Sequence, residues 1–196
     1  MPINNIQRLK KEDCALIIID MQNDFIVSGA PIECPGGRAI IGAISNTRKW
    51  AHDNNIPVFF TQELHRHQRI DYGLELDRHE PLHCLENSIG AEIIPTLTPS
   101  SDEFVILKRR YSGWYLTDLD VLMKSFNKKA LIITGVATNV CVYATALDSM
   151  QRDIQPIVLK DCVAGTSVEL HEAFLKNIDY IIGDVTTSSE LFNILK

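Results

Sequence analysis

The chain has 196 residues, with 45% hydrophobic and 22% charged residues, which is ordinary for one globular domain with a sizeable core. Its net charge of −6 argues against a general nucleic-acid-binding protein, and no segment approaches the ~20 apolar residues that cross a membrane. We therefore expect a single domain over residues 1–196 that has neither a nucleic-acid nor a membrane partner.

The cysteines and the first residues indicate a compartment. Five cysteines, an odd number without CxxC spacing, disfavour both a disulfide framework and a structural zinc site. The first residues lack a basic region followed by an apolar one, so no secretory signal is expected. These features predict a cytoplasmic protein.

Apolar runs alternate with helical patterns along the chain. We predict strands over residues 15–20, 57–62, 103–108, 130–134, 154–159 and 179–182, and helices over 38–54, 116–127, 140–152 and 168–178. This alternation predicts a parallel sheet that is covered on both faces. The segment from Glu63 to Ser101 interrupts it; the segment is long and polar and contains four of the six histidines.

Reactive side chains follow three of the predicted strands. Asp20 and Lys108 each end an apolar run, and Cys141 lies where a strand turns into a helix. Ligand sites of open α/β sheets lie beyond the carboxyl ends of the strands. A cysteine at the positive end of a helix has a stabilised thiolate, so its pKa is expected to fall. The alternatives are a buried core cysteine and a purely structural Asp20–Lys108 salt bridge.

Three motifs carry a family resemblance: Asp20-Met21-Gln22-Asn23-Asp24-Phe25, Lys108 with Tyr111-Ser112-Gly113-Trp114, and the run Gly135–Val142. In order and spacing they resemble the signatures of the isochorismatase-like cysteine hydrolases, over residues 12 to 190. The resemblance implies a three-layer αβα sandwich with a six-stranded parallel sheet of order 3-2-1-4-5-6. Strand three then lies about 9–10 Å from strand one at ~4.8 Å per strand, a gap that the Lys108 side chain must span.

The resemblance also implies roles for individual residues. Cys141 is the expected nucleophile, Asp20 the base, and Lys108 the cation that favours the thiolate. The backbone N–H groups of Ala137 and Cys141 are the expected oxyanion hole, with a cis peptide bond between Val136 and Ala137. Candidate substrate-binding residues, each with a core-packing or loop-stabilising alternative, are Gln22, Phe25, Tyr111 and Trp114. One of Arg109 and Arg110 is a candidate for binding a substrate carboxylate.

The histidine-containing segment bears on metal binding. Nicotinamidases of this family hold a divalent metal, and the stretches Thr61–His65 and His83-Cys84 match their pattern in part, with Glu63 where Asp is usual. The Trp-His-Pro run of nicotinamidases is absent, and the Lys108–Tyr111 spacing is short. We therefore expect no cofactor; the ligands of a metal, if one binds, would be Glu63, His65, Asp71 and His83, with His67 and His79 nearby.

The sequence thus predicts a cysteine hydrolase that cleaves a C–N bond of a small amide, carbamoyl or ureido substrate through a thioester. The alternatives are a metal-containing nicotinamidase-type amidase, an isochorismatase that hydrolyses a vinyl ether, and a non-catalytic module on the same fold. The expected partners are a small-molecule substrate and further copies of the chain, in a dimer or tetramer.

Overall fold

The structure is a computed structural model that describes residues 5–78 and 80–195, so His79 lies outside the described residues. Its centre is one sheet of six strands in the order β3-β2-β1-β4-β5-β6, and every neighbouring pair is parallel. The strands are β1 (Cys14–Ile19), β2 (Val58–Glu63), β3 (Phe104–Lys108), β4 (Ala130–Val136), β5 (Gln155–Ala164) and β6 (Asp184–Thr186). The predicted fold class and strand order are confirmed.

Helices cover both faces of the sheet. Alternate residues of β1 point into two separate cores, because successive side chains of a strand lie on opposite faces. The core of Leu16 and Ile18 packs against α2 (Ile41–Asp53) and α6 (Ser188–Ile194), and the other packs against α3 (Leu119–Ser125), α4 (Tyr143–Met150) and α5 (Val168–Asn177). A one-turn helix, α1 (Asn23–Ile26), follows β1. A fully apolar β1 is therefore required, since both of its faces are buried.

One predicted strand is wrong. Residues 179–182 do not form a strand but lie in a π-helical turn, Ile178–Ile182, that continues α5; the last strand is β6. Ile178 and Ile182 are buried while Tyr180 and Ile181 are exposed, which is the spacing of a helix rather than of a strand. The sequence analysis also missed α6, whose capping box joins Thr187 and Glu190.

A glycine sets the distance between β1 and β4 next to the predicted site. Gly135 has φ +102°, and a Cβ on it would lie 2.1 Å from the carbonyl oxygen of Ile19. Any other residue would push the two strands apart at the point where Asp20 follows β1. The peptide bond between Val136 and Ala137 is cis, and it leads into the turn that carries Cys141.

None of the helices in the described ranges is both long and apolar enough to cross a membrane.

Candidate active site

The structure brings together three reactive side chains that lie at or after the carboxyl ends of β1, β3 and β4: Asp20, Lys108 and Cys141. The Nζ atom of Lys108 lies 2.8 Å from Oδ2 of Asp20 and 3.6 Å from Sγ of Cys141. All three residues are at most 3% exposed. The arrangement therefore places a thiol, a carboxyl group and an ammonium group close together, as the predicted roles require.

Lys108 also contacts a second carboxylate, on the strand β2 that lies between β1 and β3. Glu63 ends β2 and is paired in register with Lys108, and its Oε2 accepts a hydrogen bond from Lys108 Nζ. An oxygen of Glu63, an oxygen of Asp20 and Sγ of Cys141 all lie within 4.8 Å of one another. The sequence analysis considered Glu63 only as a metal ligand. Its position at the end of the strand between β1 and β3 was the signal that could have identified it as a partner of Lys108.

Asp20 is held in an unusual backbone conformation. Its φ of +49° lies in the left-handed region, which a non-glycine residue adopts at a conformational cost. The hydroxyl of Thr61 donates to Oδ1 of Asp20 at 2.7 Å and accepts from the Asp20 N–H at 3.1 Å. Oδ2 is buried and forms the ion pair with Lys108. The Asp20 carboxylate also lies within 4.8 Å of Cys141 Sγ, which makes it a candidate acceptor of the thiol proton.

Burial dominates the pKa values of Cys141 and Asp20. Burial raises the pKa of Cys141 well above its usual value; Lys108 opposes the shift, while the charges of Asp20 and Glu63 increase it. The prediction that the pKa of the Cys141 thiol is lowered is therefore wrong. Burial also raises the pKa of Asp20, with Lys108 opposing and Glu63 adding to the shift. A resting thiol beside a carboxyl group whose proton affinity is raised is suited to proton transfer.

The other two ionisable groups of the site stay charged. Burial raises the pKa of Glu63, but Lys108, His65 and His83 outweigh it and hold the pKa well below its usual value. Burial lowers the pKa of Lys108, but Asp20, Cys141 and Glu63 outweigh it and raise the pKa. Lys108 and Glu63 therefore form an ion pair next to the thiol.

A cavity of about 120 Å³ opens onto Cys141. Phe25, Tyr111, Ala137 and Val140 line it together with the thiol, and three glutamates complete the wall: Glu63, Glu75 and Glu80. Cys141 lies on a π-helical turn, Thr138–Val142, immediately after the cis peptide bond. The structure thus brings Phe25, Tyr111 and both predicted oxyanion-hole residues to the cavity; their roles remain predictions.

Two predicted substrate-binding residues do not line this cavity. Gln22 is fully buried and its amide bridges the backbone of Glu63 and Ala91, so it positions the end of β2. Trp114 packs in the core, where its indole N–H donates to Ser149 Oγ at 2.8 Å. Both side chains have their polar atoms satisfied by the protein, which corrects the prediction that they contact substrate.

Neither candidate arginine lines the cavity. Arg109 donates to the Leu64 carbonyl and to Glu86, the latter at 2.6 Å. Arg110 donates to the carbonyl oxygens of Asp71 and Arg109. Both guanidinium groups are therefore used in the loop that follows β2.

A second group of ionisable side chains adjoins Asp20, Lys108 and Cys141. It is called here the His–Glu cluster: Glu63, His65, Glu75 and His83, whose ligand atoms lie within 4.8 Å of one another. Oε1 of Glu63 lies 3.3 Å from Nε2 of His65 and 3.1 Å from Nε2 of His83. Asp71, a predicted ligand, lies outside the cluster: it pairs with Arg66 at 2.9 Å and lies 3.7 Å from Nδ1 of His65. Glu75, which the sequence analysis did not consider, is the fourth member in its place.

The His–Glu cluster fits a divalent metal in its donor chemistry. Two imidazole nitrogens and two carboxylate oxygens suit zinc, iron or manganese, and the Nδ1 of His83 is oriented by the Pro81 carbonyl at 2.8 Å. A protonated His83 can pair with Glu63 and Glu75 without a metal. Burial lowers the pKa of His83, but hydrogen bonds to Glu63 and Glu75 outweigh it and raise the pKa to about 10.

Comparisons with known proteins agree with this geometry. The family model described as "Isochorismatase domain" matches residues 14–190. Enterobactin synthase component B of Escherichia coli K12 is 31% identical over 192 residues, which cover 97% of this chain and 67% of that protein. Ureidoacrylate amidohydrolase RutB of Acinetobacter baylyi is 29% identical, with 95% and 85% covered. The solved structure of an isochorismatase-like hydrolase from Alkaliphilus metalliredigens superimposes with a TM-score of 0.87 at 35% identity, covering 94% of this chain and 100% of that one. The chain therefore belongs to the isochorismatase family of hydrolases.

Proposed function

We propose that this chain is a cysteine amidohydrolase that cleaves a C–N bond of a small amide, carbamoyl or ureido compound. The observation that carries the proposal is the contact of Lys108 Nζ with both Asp20 Oδ2, at 2.8 Å, and Cys141 Sγ, at 3.6 Å, on the wall of a cavity. Similarity to ureidoacrylate amidohydrolase supports the same chemistry.

The reaction begins with proton transfer from Cys141 Sγ to Asp20 Oδ2 as the thiolate attacks the substrate carbonyl. Lys108 stabilises the thiolate, and the N–H groups of Ala137 and Cys141 face the oxyanion. Asp20 then returns the proton to the leaving nitrogen as the C–N bond breaks, which releases ammonia or an amine and leaves a thioester. Water, deprotonated by Asp20, attacks the thioester; the C–S bond breaks, Asp20 returns the proton to Cys141 Sγ, and the acid is released.

We propose that this acyl chemistry needs no metal, because the three residues can generate their own nucleophile. The His–Glu cluster is the place where Glu63, His65, Glu75 and His83 would hold a divalent ion, which would supply a Lewis acid beside the substrate. That cluster favours a nicotinamidase-type amidase as the second candidate function. The two candidates share the thioester and differ in their requirement for metal.

Trapping the acyl-enzyme tests the proposal. An ammonia-release screen over nicotinamide, carbamoyl amino acids, biuret and ureidoacrylate identifies a substrate, and rapid acid quench followed by peptide mass spectrometry should show the acyl group on Cys141. The Cys34→Ala protein is the matched control, because Cys34 also lines the cavity but its thiol donates to the carbonyl oxygens of Ala164 and Gly165, whereas Cys141 lies beside Lys108. Turnover that persists in the Cys141→Ala protein would contradict the thioester and favour vinyl-ether hydrolysis, which needs no thiol.

A further inference from the structure

The charged side chains that line the active-site cavity are all acidic. Of the described residues, Glu63, Glu75 and Glu80 line it, and no lysine, arginine or histidine does. The cations nearby, Lys108 and His83, do not line the cavity; they bind the two oxygens of Glu63, and Lys108 also lies 3.6 Å from Cys141 Sγ. The charged side chains that a substrate contacts on the described wall of the cavity are therefore carboxylates.

The three glutamates are not equally neutralised. Glu63 is bonded by Lys108 and by two histidines. Glu75 is 3.5 Å from His83 Nε2, which offsets part of its charge. Glu80 is exposed and has neither a hydrogen bond nor an ion pair with another described residue. Glu80, and then Glu75, therefore contribute the uncompensated negative charge of the wall.

Tyr111 lies on the same wall as these glutamates. Burial raises the pKa of its hydroxyl, and the charges of Glu75, Cys141, Glu63 and Glu80 raise it further. An anion at the same place would experience the same repulsion, since like charges in a partly desolvated site interact more strongly than in water.

We propose that the cavity selects substrates by charge: it takes small amides or ureido compounds that carry no carboxylate, and Glu80 and Glu75 pair with a cationic group on the substrate. The inference rests on the proposed function, because it describes the substrate of the same site. It separates this chain from hydrolases whose substrate is a carboxylate such as ureidoacrylate. The cavity volume of about 120 Å³, below the ~300–1,000 Å³ of sites for drug-sized ligands, limits the substrate to a compact molecule.

Two alkylating reagents of nearly equal size test the charge selection at Cys141 without knowledge of the substrate. Iodoacetamide is neutral and iodoacetate is an anion. Their rates of reaction with Cys141, followed by peptide mass spectrometry after dialysis against a chelator, are each divided by the rate with free cysteine. The normalised rate with iodoacetate should be lower by at least about tenfold, the effect of a repulsion of about 1.4 kcal/mol.

Variants assign the selection to particular residues. Glu80→Gln should raise the iodoacetate rate by several fold and leave the iodoacetamide rate unchanged. Glu75→Gln should raise the ratio of the iodoacetate rate to the iodoacetamide rate. Glu172→Gln, an exposed residue of α5, makes the same change in net charge away from the cavity and should have no effect. With substrates, succinamide should have a higher kcat/KM than its isosteric anion succinamate.

The outcomes separate the two proposals. Equal normalised rates of the two reagents at a reactive Cys141, or an unchanged ratio in both glutamine variants, would overturn charge selection and leave the cysteine mechanism intact. A Cys141 that is inert to both reagents would defeat the cysteine mechanism and, with it, the inference about its substrate.

Discussion

Replacing Lys108 by methionine should raise the pKa of Cys141 and slow its alkylation at neutral pH. Methionine keeps most of the side-chain length and removes the charge. Nζ lies 3.6 Å from Sγ, so the lost attraction is about 4.6 kcal/mol at an effective dielectric constant of 20 and about 1.1 kcal/mol at that of water. These limits correspond to a shift of about 1 to 3 pKa units, because one unit is 1.36 kcal/mol.

The base is affected in the same direction. Burial already raises the pKa of Asp20 and Lys108 opposes that shift, so the variant should hold a more protonated Asp20. A base that is already protonated cannot accept the thiol proton, and the two effects together should lower kcat by at least ~100-fold.

The assay is the rate of iodoacetamide addition to Cys141 as a function of pH, read by peptide mass spectrometry. Wild-type and Lys108→Met proteins are compared, and the half-maximal rate should move to higher pH by one to three units. The buried carboxylates of Asp20 and Glu63 lose their counter-ion, so the free energy of unfolding should fall by about 3–5 kcal/mol. Their raised pKa values in the folded variant mean that this loss grows as the pH rises through them.

A folded variant is needed for the comparison. Circular dichroism establishes that it is folded, and the double variant Lys108→Met with Glu63→Gln relieves the repulsion between the two carboxylates if the single variant is too unstable. An alkylation profile at the same pH as that of the wild type, in a folded variant, would remove Lys108 from its role in stabilising the thiolate.

The remaining predictions address the base, the nucleophile, the metal and the fold. Asp20→Asn should lower kcat by at least ~100-fold with little change in melting temperature, because the amide keeps the contact with Thr61 but cannot take a proton; a loss below tenfold would argue for another base. Cys141→Ala should abolish turnover, whereas alanine at each of the other four cysteines should leave the chemistry in place, as steady-state assays would reveal. Dialysis against a strong chelator, with metal content measured before and after, should leave the rate of acylation unchanged; an activity that is lost and then restored by zinc, iron or manganese would favour the nicotinamidase-type alternative. Glu103→Gln should lower the free energy of unfolding by about 2 kcal/mol, because Glu103 binds Arg48 at 2.5 Å and 2.7 Å and thereby joins β3 to α2. Burial raises the pKa of Glu103, but Arg48, the Ser100 N–H and His52 outweigh burial and lower the pKa. The stabilisation by Glu103 is therefore present above its ordinary pKa of 4.5 and is lost as the pH falls through the lowered pKa. An acid unfolding curve that is the same in the variant would contradict the assignment.

The alternation of strands with helices and the identity of the reactive residues could be predicted because both depend on local signals. Continuous apolar runs define β1, β2, β3 and β4, and polar residues at their carboxyl ends lie at the one edge where parallel strands open onto a ligand site. The motifs at Asp20, Lys108 and Cys141 added the family and hence the strand order. The last strand was misplaced because a short run with several isoleucines, here residues 178–182, is compatible both with a short buried strand and with one face of a helix.

Only the tertiary structure decided how charge is distributed around the thiol. The helix-terminus argument predicted a lowered pKa for Cys141, but the pKa is raised because the fold buries the thiol completely and sets two carboxylates beside it. Whether Glu63 pairs with Lys108, and whether Gln22 and Trp114 reach the cavity, depends on contacts between residues far apart in the chain. A sequence pattern specifies which groups are present at a sheet edge, whereas burial and the partners of each group set their charge, and these exist only in the folded molecule.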